Sequence, residues 1–562
     1  MGVLIGGVLG VVLFLLTIGP DILRADNFGW MMRHDLQTYL LAWLHYRHEP
    51  WHWPPGALAS VGYPIGTSIG NTDAVPLLAI PLKAAQSLLP EPFQYFGWWL
   101  LTCYVLQGVF GALLVRRFTP DRVLQALGAA LFVMTPALMH RFGHLALCAH
   151  WLVLGALLLS LPDAQRARAA HLRDWLLLCA AAAATQPYIA VMVVGLALAD
   201  VASDALFGRH AGRWREGAAG AAAIVAVTTA VFWLCGYFLV SSAGDLQLDG
   251  LGFYSMNLLS PIAPMGLSRV LPDVPLATPG QYEGFTYFGA GWLALSLVVL
   301  RLLVTRRVAV PRLRLGWLVA AVFLALGVSP VVTIGPRVLA DLNAWAPTAL
   351  ATFRSSGRFG WLAMYVGFVL VIAAIVTSLP RRIAVAVLLG AVMLQAWDLS
   401  PFYLAIHRRA SAPDWTDWKD PLASPVWDAA VREYRHLVMV PPDMCGVVMP
   451  VAAGPHLPFS LLAARHRVTI NSGNAGRYDG GAVLRYCHAI DADVHAGRVA
   501  DDSLYVLSPV MRDTLVAATQ VPLTCGDIDG FAVCVTTGTY RRWQAGAERD
   551  GFVAVAVVPA TP

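Results

Sequence analysis

The sequence predicts an α-helical polytopic membrane protein that carries a mixed α/β domain outside the membrane at its C-terminal end. Its 562 residues are 57% hydrophobic and only 13% charged, about half the charged share of a soluble globular domain. The apolar residues form runs near the length that spans a bilayer. Near residue 400 the composition becomes more polar, and no further run of that length follows. A cytosolic enzyme is therefore excluded.

Most spans are predicted directly from the apolar runs. These runs cover about 3–19, 95–115, 123–139, 145–161, 218–241, 285–304, 316–335, 359–379 and 383–399. The stretch 172–208 is too long for one span, which needs about 20 residues, and its centre, 185–188, reads Thr-Gln-Pro-Tyr. Because this turn is polar and contains a proline, we expect two helices with Gln186, Pro187 and Tyr188 at the outer turn.

Arginine clusters predict the topology. They are Arg116, Arg117 and Arg122; Arg166, Arg168 and Arg173; Arg209, Arg213 and Arg215; Arg301, Arg306, Arg307, Arg312 and Arg314; and Arg381 and Arg382. The positive-inside rule places all of them in the cytoplasm, with an even number of crossings between neighbouring clusters. The result is about eleven spans in a bacterial inner membrane, with the N-terminus cytoplasmic and the C-terminal domain periplasmic. The first run lacks a basic start and a clear cleavage site, which favours a retained helix over a signal peptide.

The first outer loop, 20–94, contains two further apolar stretches, 36–46 and 75–89. The first is amphipathic, and the second is broken by Pro76 and Pro81 and carries Lys83. They are predicted to be helices that lie in the membrane interface; spanning is the less favoured alternative. The predicted domains are therefore 1–399, which includes this loop, and 400–562.

The C-terminal domain is predicted to be a small mixed α/β fold. Strand patterns occur at His436–Val440, Arg467–Ile470, Ser503–Leu507, Phe531–Val535 and Phe552–Val558, and helical patterns occur at 425–434 and 481–497. The domain contains Cys445, Cys487, Cys525 and Cys534. An even set in an oxidising compartment indicates disulfides, with three possible pairings. We favour Cys525–Cys534 and Cys445–Cys487.

Two acids of the first outer loop are candidates for catalysis. Asp35 follows His34 and opens the segment that contains Tyr39, and Asp73 lies in a polar, glycine-containing stretch. Partial desolvation at a membrane surface raises a carboxylate's pKa, which suits a general base. The equally favoured alternative is that Asp35 only caps a helix.

Arginines in the outer loops are candidates for binding phosphate. Arg354 and Arg358 are four residues apart, on one face if the segment is helical, and Gly357 permits close backbone approach. Forked guanidiniums suit a phosphate or pyrophosphate, although snorkelling beside lipid head groups is a comparable alternative. A second loop carries Arg141 between His140 and His144.

Asn257, Tyr282 and Glu283 lie among aromatic residues in the loop 242–285. An aromatic side chain beside a carboxylate suits a sugar, while Glu283 could equally be an exposed loop residue. The sequence contains no Walker loop, no HExxH and no GxSxG. Inverted repeats typical of transporters are not evident, and nucleic-acid binding is not indicated.

Five strings carry a family resemblance: HDLQTYLLAWLHYRHEPWHWPPG, YPIGTSIGNTDAVPLLAIPLK, EPFQYFGWW, GQYEGFTYFG and FRSSGRF. Together with the topology, they resemble an uncharacterised bacterial family of polytopic proteins near the GT-C superfamily of integral-membrane glycosyltransferases. The resemblance covers nearly the whole chain, is specific for the uncharacterised family and says little about activity.

The resemblance implies inverting transfer of a sugar from a polyprenyl-phosphate donor to a glycan, lipid or protein acceptor of the cell envelope. By position, Asp35 would be the general base, with Asp73 as second candidate. Arg354, Arg358 and Arg141 would hold the donor phosphate. His34, Tyr39, His140, His144, Tyr188, Asn257, Tyr282 and Glu283 would contact substrates.

The chain departs from the superfamily in one respect. His34 and Leu36 flank Asp35, so the usual pair of acids is absent there, and we expect neither an obligatory metal nor a cofactor. The alternative function is a non-catalytic transporter or assembly protein that binds lipid-linked glycans.

Overall fold

A computed structural model describes residues 2–163, 166–208, 211–240, 250–305, 311, 313–411, 418–447, 456–550 and 552–557. Of the predicted cytoplasmic arginines, Arg209, Arg306, Arg307 and Arg312 lie outside these residues.

Helices dominate the described residues. The first ten are α1 (Gly2–Thr17), α2 (Leu36–Tyr46), α3 (Pro76–Ala84), α4 (Phe96–Arg116), α5 (Arg122–Val133), α6 (Pro136–Met139), α7 (Trp151–Ser160), α8 (Arg168–Ala183), α9 (Pro187–Phe207) and α10 (Trp214–Leu234). Next follow α11 (Ala290–Thr305), α12 (Gly316–Val328), α13 (Gly360–Ser378), α14 (Arg381–Asp398) and α15 (Ser400–Ala410). The remaining helices are α16 (Val426–Val431), α17 (His456–His466), α18 (Gly480–His495), α19 (Pro509–Ala518), α20 (Thr537–Tyr540) and α21 (Gln544–Arg549).

Ten strands accompany them in the described part of the chain. They are β1 (Ala57–Leu58), β2 (Thr67–Ser68), β3 (Val331–Ile334), β4 (Arg337–Asp341), β5 (His436–Val440), β6 (Thr469–Ile470), β7 (Ser503–Leu507), β8 (Leu523–Ile528), β9 (Phe531–Thr536) and β10 (Val555–Val557).

The chain forms two compact units. The helical unit comprises Met1–Asn27, Tyr95–Val231 and Leu246–Thr416, and the mixed unit comprises Phe28–Gln94, Phe232–Asp245 and Asp417–Pro562. This division differs from the predicted ranges, because the first outer loop joins the C-terminal residues instead of the helical part. The predicted boundary near residue 400 followed composition, which carries no information about long-range packing.

In the helical unit, α1 packs closely on α4. A Cβ on Gly6 would lie 2.2 Å from the carbonyl oxygen of Gly108, and one on Gly10 would lie 2.4 Å from that of Tyr104. Small residues in successive turns let two helix backbones approach closely, as is common between membrane helices. The glycines of the first apolar run are thus explained by helix packing.

The expectation of eleven spans is not supported. Among the described residues, four helices are long and apolar enough to cross a membrane: Phe96–Arg116, Pro187–Phe207, Trp214–Leu234 and Ser356–Ser378. The number rises to six if two bent pairs, Arg122–Val133 with Pro136–Gly143 and Arg381–Asp398 with Ser400–Ala410, each count as one span. Gly2–Thr17, Leu145–Ser160, Ala290–Thr305 and Gly316–Val328 are apolar but shorter.

The apolar runs form helices, but local signals shorten several of them. α12 ends at Val328 because Ser329 has a φ of +72° and Pro330 follows it. α5 ends before Pro136, where the axis bends by 41°. At 1.5 Å per residue, a helix of 16 residues such as α11 is about 24 Å long, short of a hydrocarbon core of about 30 Å.

The two-helix prediction for 172–208 is confirmed. α8 ends at Ala183, α9 begins at Pro187, and the side chain of Gln186 accepts hydrogen bonds from the N–H groups of Tyr188 and Ile189. The turn therefore forms where the sequence placed it, because Gln186 caps a helix whose first residue is proline.

The mixed unit is built around a six-stranded sheet in the order β10–β8–β9–β7–β5–β6. β6, β5 and β7 are parallel, and the remaining pairs are antiparallel. Alternate β5 residues face opposite cores, with Leu437 packed with Trp427 and Phe459, and Val438 packed with Leu515. Both faces of the sheet are therefore covered. The predicted mixed α/β fold is confirmed, including strands at β5, β6, β7, β9 and β10, although Val558 of the last predicted strand lies outside the described residues. The sequence analysis missed β8, α17, α19, α20 and α21.

The segment 36–46, expected to lie in the membrane interface, forms a helix that is buried within the mixed unit. α2 packs against α17 of the same unit, and Leu40, Trp43 and Tyr46 are fully buried. Protein therefore covers the apolar face that the sequence analysis assigned to head groups. The amphipathic pattern itself does not distinguish these two kinds of apolar surroundings.

Both favoured disulfides are present. Cys445–Cys487 links the turn Asp443–Val447 to α18. Cys525–Cys534 joins directly opposed residues of β8 and β9.

Candidate functional site

Three loop segments of the helical unit converge on one carboxylate. Arg141 lies in the 3₁₀ turn His140–Gly143, Glu283 in the turn Pro279–Gly284, and Arg358 in the turn Ser356–Phe359. The sequence analysis selected all three residues but did not pair them. We call Arg141, Glu283 and Arg358 the arginine–glutamate cluster.

The cluster is tightly hydrogen-bonded. Arg358 donates from Nε to Oε2 of Glu283 at 2.9 Å and from Nη2 to Oε1 at 2.8 Å. Arg141 donates from Nη1 to Oε2 at 2.6 Å, and its Nη2 donates to the backbone oxygens of Tyr282 and Glu283 at 3.0 and 2.9 Å. Arg358 thus makes the bidentate fork that guanidinium and carboxylate geometry favours.

All three side chains are buried, with exposed fractions of 1% for Arg141, 3% for Glu283 and 8% for Arg358. Burial opposes ionisation of Glu283, but Arg358 and Arg141 together hold the pKa of its carboxyl well below the usual range. Within the cluster, two guanidiniums thus share one carboxylate. The planar fork of a guanidinium also matches the geometry of phosphate groups.

Aromatic rings and unused polar atoms surround the cluster. The guanidinium of Arg141 lies 5.2 Å from the ring of Trp361, and that of Arg358 lies 4.7 Å from the ring of Tyr188. Among the described residues, Nε of Arg141 and Oγ of Ser356 are buried and have no hydrogen-bond partner. Because buried polar atoms are nearly always paired, these two are available to water or a ligand group.

Gly357 explains how two of the loops come together. A Cβ at Gly357 would lie 2.5 Å from Cα of Gly284 and 2.9 Å from the backbone nitrogen of Met256. The backbone approach that the sequence analysis assigned to a ligand is therefore made by the protein's own chain. It places Glu283 beside Arg358.

The expected pair of Arg354 and Arg358 does not form. The segment folds as two 3₁₀ turns, Thr348–Phe353 and Ser356–Phe359, instead of one α-helix. Arg354 is exposed, with its guanidinium 5.6 Å from the ring of Tyr254, whereas Arg358 is buried. The four-residue spacing places two side chains on one face only in a continuous α-helix.

The neighbouring predicted residues occupy different positions. Tyr188 accepts a hydrogen bond at its hydroxyl from the N–H of Ser355. Tyr282 is 38% exposed, and its ring makes an edge contact with Tyr254. His140 stacks on Phe285 at 4.3 Å, and His144 is half-buried.

Asn257 has no capacity left for a substrate. It is fully buried, and its Nδ2 donates to Gln281, Thr333 and Gly335, while its Oδ1 accepts from the N–H groups of Leu259 and Gly335. The expected sugar contact at Asn257 is therefore corrected to a structural role. Its aromatic neighbours in sequence could not reveal these distant partners.

The two candidate acids lie in the mixed unit. Asp35 is exposed at the N-cap position of α2, and its side chain makes no cap hydrogen bond to that helix. The capping alternative is therefore not observed. Asp73 is half-buried with a φ of +53°, a conformation that asparagine and aspartate adopt more readily than most residues.

Residues within three positions of each acid along the chain line one narrow cleft of the mixed unit. Gln37 and Thr38 follow Asp35, and Thr72 precedes Asp73. The cleft lining comprises Gln37, Thr38, Leu41, Ala42, Val61, Thr72, His456, Ser460, Gly473 and Asn474. We call it the acid-flanked cleft.

The polar groups of the acid-flanked cleft come from both parts of the mixed unit. Oγ1 of Thr38 is buried and has no hydrogen-bond partner among the described residues. His456 lies 3.3 Å from Asp443 through Nδ1. Of the other residues predicted to contact substrates, His34 is exposed, with a φ of +46°, but Tyr39 is 3% exposed and belongs to the core of the unit.

Asp398 is a polar residue that the sequence analysis missed. It is fully buried at the end of α14, where it accepts hydrogen bonds from the hydroxyl of Tyr287 and the backbone N–H groups of Arg269, Val270 and Ala290. An acid at the end of an apolar run is the signal that could have found it. Among the described residues, no group of three His, Cys, Asp or Glu side chains is placed to hold a metal ion.

Residues 7–400 match a protein family described as "Domain of unknown function (DUF6311)", and residues 426–536 match the "DUF6311 C-terminal domain". The chain belongs to this family. The first match alone covers more than half of the chain and includes the whole arginine–glutamate cluster. No curated protein matches the chain. Membership in an uncharacterised family is thus established, whereas kinship with GT-C glycosyltransferases stays a prediction.

Proposed function

We propose that this DUF6311 protein is an integral-membrane glycosyltransferase that uses a polyprenyl-phosphate-linked sugar as donor. The arginine–glutamate cluster is the observation that carries the proposal. It combines two buried guanidiniums, both paired with Glu283, with a chain whose described residues include apolar helices long enough to cross a bilayer. A lipid carrier with an anionic head group has the complementary chemistry.

The cluster suits a phosphate for two reasons. Glu283 fixes both guanidiniums through hydrogen bonds of 2.6–2.9 Å, so that little side-chain entropy is lost when an anion arrives. Nε of Arg141 and Oγ of Ser356 are unused among the described residues, and charge-assisted bonds from arginine to phosphate are strong. Arg354, exposed above Tyr254, is a second cation for the same head group.

Asp35 is proposed as the general base that deprotonates the acceptor hydroxyl in an inverting displacement. Asp35 is exposed and makes no cap hydrogen bond to α2, and Gln37 and Thr38, two and three residues further along the chain, line the acid-flanked cleft. A base must reach its substrate's proton through a hydrogen bond, which an exposed carboxylate is able to do. Asp73 is the second candidate. We assign no metal or cofactor to this reaction.

The proposed setting is a bacterial inner membrane, with the N-terminus cytoplasmic and the C-terminal domain periplasmic. Eleven crossings require the four shorter apolar helices and also α8 (Arg168–Ala183) to cross, besides the four long helices and the two bent pairs. An acceptor in the cell envelope, which is a glycan, lipid or protein, then meets the donor on the outer side.

The test compares Asp35→Asn with Asp26→Asn, which changes an exposed acid of the same predicted loop that pairs with Arg24. Purified full-length protein in nanodiscs is supplied with a panel of polyprenyl-phosphate hexoses and extracted envelope glycans, and transfer of labelled sugar is measured. A general base contributes roughly 10²–10⁴-fold, so Asp35→Asn should lower transfer at least a hundredfold, while Asp26→Asn should retain it.

The outcomes separate the proposed roles. Wild-type transfer by Asp35→Asn would reject Asp35 as the base and direct attention to Asp73. Binding of the lipid donor without any transfer by the wild-type protein would favour the alternative of a non-catalytic transporter or assembly protein for lipid-linked glycans.

A further inference from the structure

The mixed unit contains a second hollow that shares no lining residue with the acid-flanked cleft. Its volume is about 260 Å³, slightly below the roughly 300–1,000 Å³ usual for small-molecule sites. It is lined by His45, His48, Glu49, Pro50, His52, Ala59, Ser60, Tyr63, Ala464, Arg467, Val468 and Thr469. We call it the histidine hollow.

The walls of the histidine hollow are held by backbone hydrogen bonds. The carboxylate of Glu49 accepts hydrogen bonds from the N–H groups of Ala59 and Ser60 at 3.2 and 3.0 Å. The carbonyl of Ser60 in turn accepts from the N–H of Ile470 at 2.8 Å, and Tyr63 donates back to the carbonyl of Ile470 at 3.0 Å. Three chain segments are thus joined around a preformed space, and Glu49 is occupied in joining them.

A buried hydroxyl belongs to this wall. Ser60 is 9% exposed, and its side chain lies beside the carboxylate of Glu49. A hydroxyl that donates one hydrogen bond is still able to accept others. Since Ser60 lines the histidine hollow, a hydroxyl of a bound molecule is a suitable partner.

An aromatic wall stands beside this hydroxyl. The ring of Tyr63 stacks on His436 with 4.2 Å between centroids and an angle of 12° between planes. His436 is itself held by a hydrogen bond of 2.6 Å to Thr469. The phenol ring is therefore fixed, and a rigid aromatic side chain binds the apolar face of a ligand at low entropic cost.

The histidine hollow carries an exposed arginine at its rim, while the carboxylate of Glu49 lies in its wall, where backbone N–H groups bind it. Arg467 is exposed there, and in the part of the chain that the structure describes no carboxylate forms an ion pair with it. His48 pairs with Glu91 through Nε2 at 2.7 Å, whereas His52 adds a further ring nitrogen. An anionic group on the ligand would find its counter-charge in Arg467.

We propose that the histidine hollow binds an anionic saccharide, one that carries a carboxylate or phosphate group besides its hydroxyls. Arg467 pairs with the anionic group, Ser60 hydrogen-bonds a sugar hydroxyl, and Tyr63 packs on the ring. The inference rests on the proposed function only in that the bound saccharide is taken as a part of the envelope acceptor away from the hydroxyl that Asp35 would deprotonate. The binding itself does not depend on transfer.

The test uses full-length protein in nanodiscs and titration calorimetry with digalacturonic acid as probe and maltose as its neutral counterpart. The wild-type protein should bind digalacturonic acid at least tenfold more tightly than maltose. Arg467→Asn should weaken the binding of digalacturonic acid at least tenfold and leave the affinity for maltose unchanged, because only the charge-assisted hydrogen bonds to the carboxylate are lost. Asparagine tolerates the φ of +58° at this position.

Two further variants keep the test decisive. Ser60→Ala deletes only a hydroxyl and keeps the backbone N–H that donates to Glu49, so the fold should be preserved and the affinity for both sugars should fall about threefold. The matched control is Arg465→Gln, which removes an exposed arginine that pairs with Asp420 at 3.0 Å and does not line the histidine hollow. It should bind both sugars as the wild type does.

Three results would overturn the inference: no binding of digalacturonic acid at 10 mM in the titration, equal affinity for maltose, or an equal loss in Arg465→Gln. Binding of digalacturonic acid by a protein that shows no glycosyl transfer would support this site while the proposed function fails. Glycosyl transfer by a protein that does not bind digalacturonic acid would support the proposed function and reject the binding site in the histidine hollow.

Discussion

At the scale of single residues, Glu283 is the side chain on which the arginine–glutamate cluster depends. Removing it takes away the carboxylate to which Arg141 and Arg358 both donate, in surroundings where both are at least nine-tenths buried. Breaking a buried ion pair from one side costs roughly 3–5 kcal/mol. Glu283→Gln should therefore lower the free energy of unfolding by about that amount, as measured by thermal unfolding in detergent.

A second substitution checks the cause of this loss. Adding Arg358→Met to Glu283→Gln removes one of the two repelling guanidiniums, so part of the stability should return. If Glu283→Gln unfolds at the wild-type temperature, the pairing described for the cluster is not important for folding.

His45 provides a pH-dependent test. It is fully buried in α2, its Nε2 lies 3.0 Å from the carbonyl oxygen of Ser460, and burial lowers its pKa to about 4. The unfolded chain takes up a proton below a pH of about 6.5, whereas the folded chain does not until about pH 4. The stability that the neutral ring provides is thus complete above pH 6.5 and is lost as the pH falls toward 4, on the order of 3 kcal/mol in all.

The matched pair of variants is His45→Gln and His495→Gln. Glutamine can donate to Ser460 but does not titrate, so His45→Gln should lose less stability than the wild type between pH 7 and pH 5. His495 is an exposed histidine at the end of α18, and its replacement should leave the wild-type pH profile unchanged. Thermal unfolding at the two pH values measures the difference. Identical profiles for His45→Gln and the wild type would contradict the assignment.

At the scale of elements, the two disulfides should differ in their contribution to the mixed unit. Cys445 and Cys487 are 42 residues apart, and Cys525 and Cys534 are 9 apart. From the entropy of the unfolded loop that each bond closes, Cys445–Cys487 should stabilise the mixed unit by about 4 kcal/mol and Cys525–Cys534 by about 3 kcal/mol. Cys445→Ser with Cys487→Ser should therefore cost more than Cys525→Ser with Cys534→Ser in chemical unfolding.

Alkylation provides an independent check of the disulfides. Mass spectrometry of the protein, alkylated without reduction, should find these four cysteines unmodified. Four freely alkylated thiols would reject both bonds.

A comparison of predicted and observed elements shows which features could be predicted from the sequence. The break between α8 and α9 was predictable because Gln186 and Pro187 are local signals, and β5 and β7 were predictable from their own residues. The ends of α5 and α12 were missed because an apolar run does not report where the helix inside it stops, although Pro136 and Pro330 were visible in the sequence. The arrangement of the arginine–glutamate cluster was harder to predict from the sequence. Arg141, Glu283 and Arg358 stood out as charged residues of apolar loops, but their pairing joins positions more than 70 residues apart and has no local signal.

At the scale of the whole molecule, the first outer loop and the C-terminal residues form one unit. The bridge between Val61 and Ile470 and the hydrogen bonds around it connect them. Hydrophobic periodicity and composition describe each segment separately. The sequence could therefore predict a helical part and a mixed α/β part, but not that the first outer loop packs with the C-terminal residues. Both hollows of the mixed unit are built from it, since each is lined by residues of the first outer loop and by residues beyond 455.

Topology is the remaining whole-molecule prediction, and the number of crossings decides it. Six crossings, the four long helices and the two bent pairs, would leave both chain ends on the same side of a membrane. Eleven crossings place them on opposite sides. Because the arginine clusters favour a cytoplasmic N-terminus, eleven crossings put the C-terminal domain outside.

A reporter that is active only outside the cytoplasm should be active when fused after residue 400 and silent when fused near residues 118, 168, 211, 308 or 381. A silent reporter after residue 400, with the N-terminus shown to be cytoplasmic by a tag, would establish an even number of crossings. The C-terminal domain would then lie in the cytoplasm, where the proposed acceptor of the cell envelope is not found.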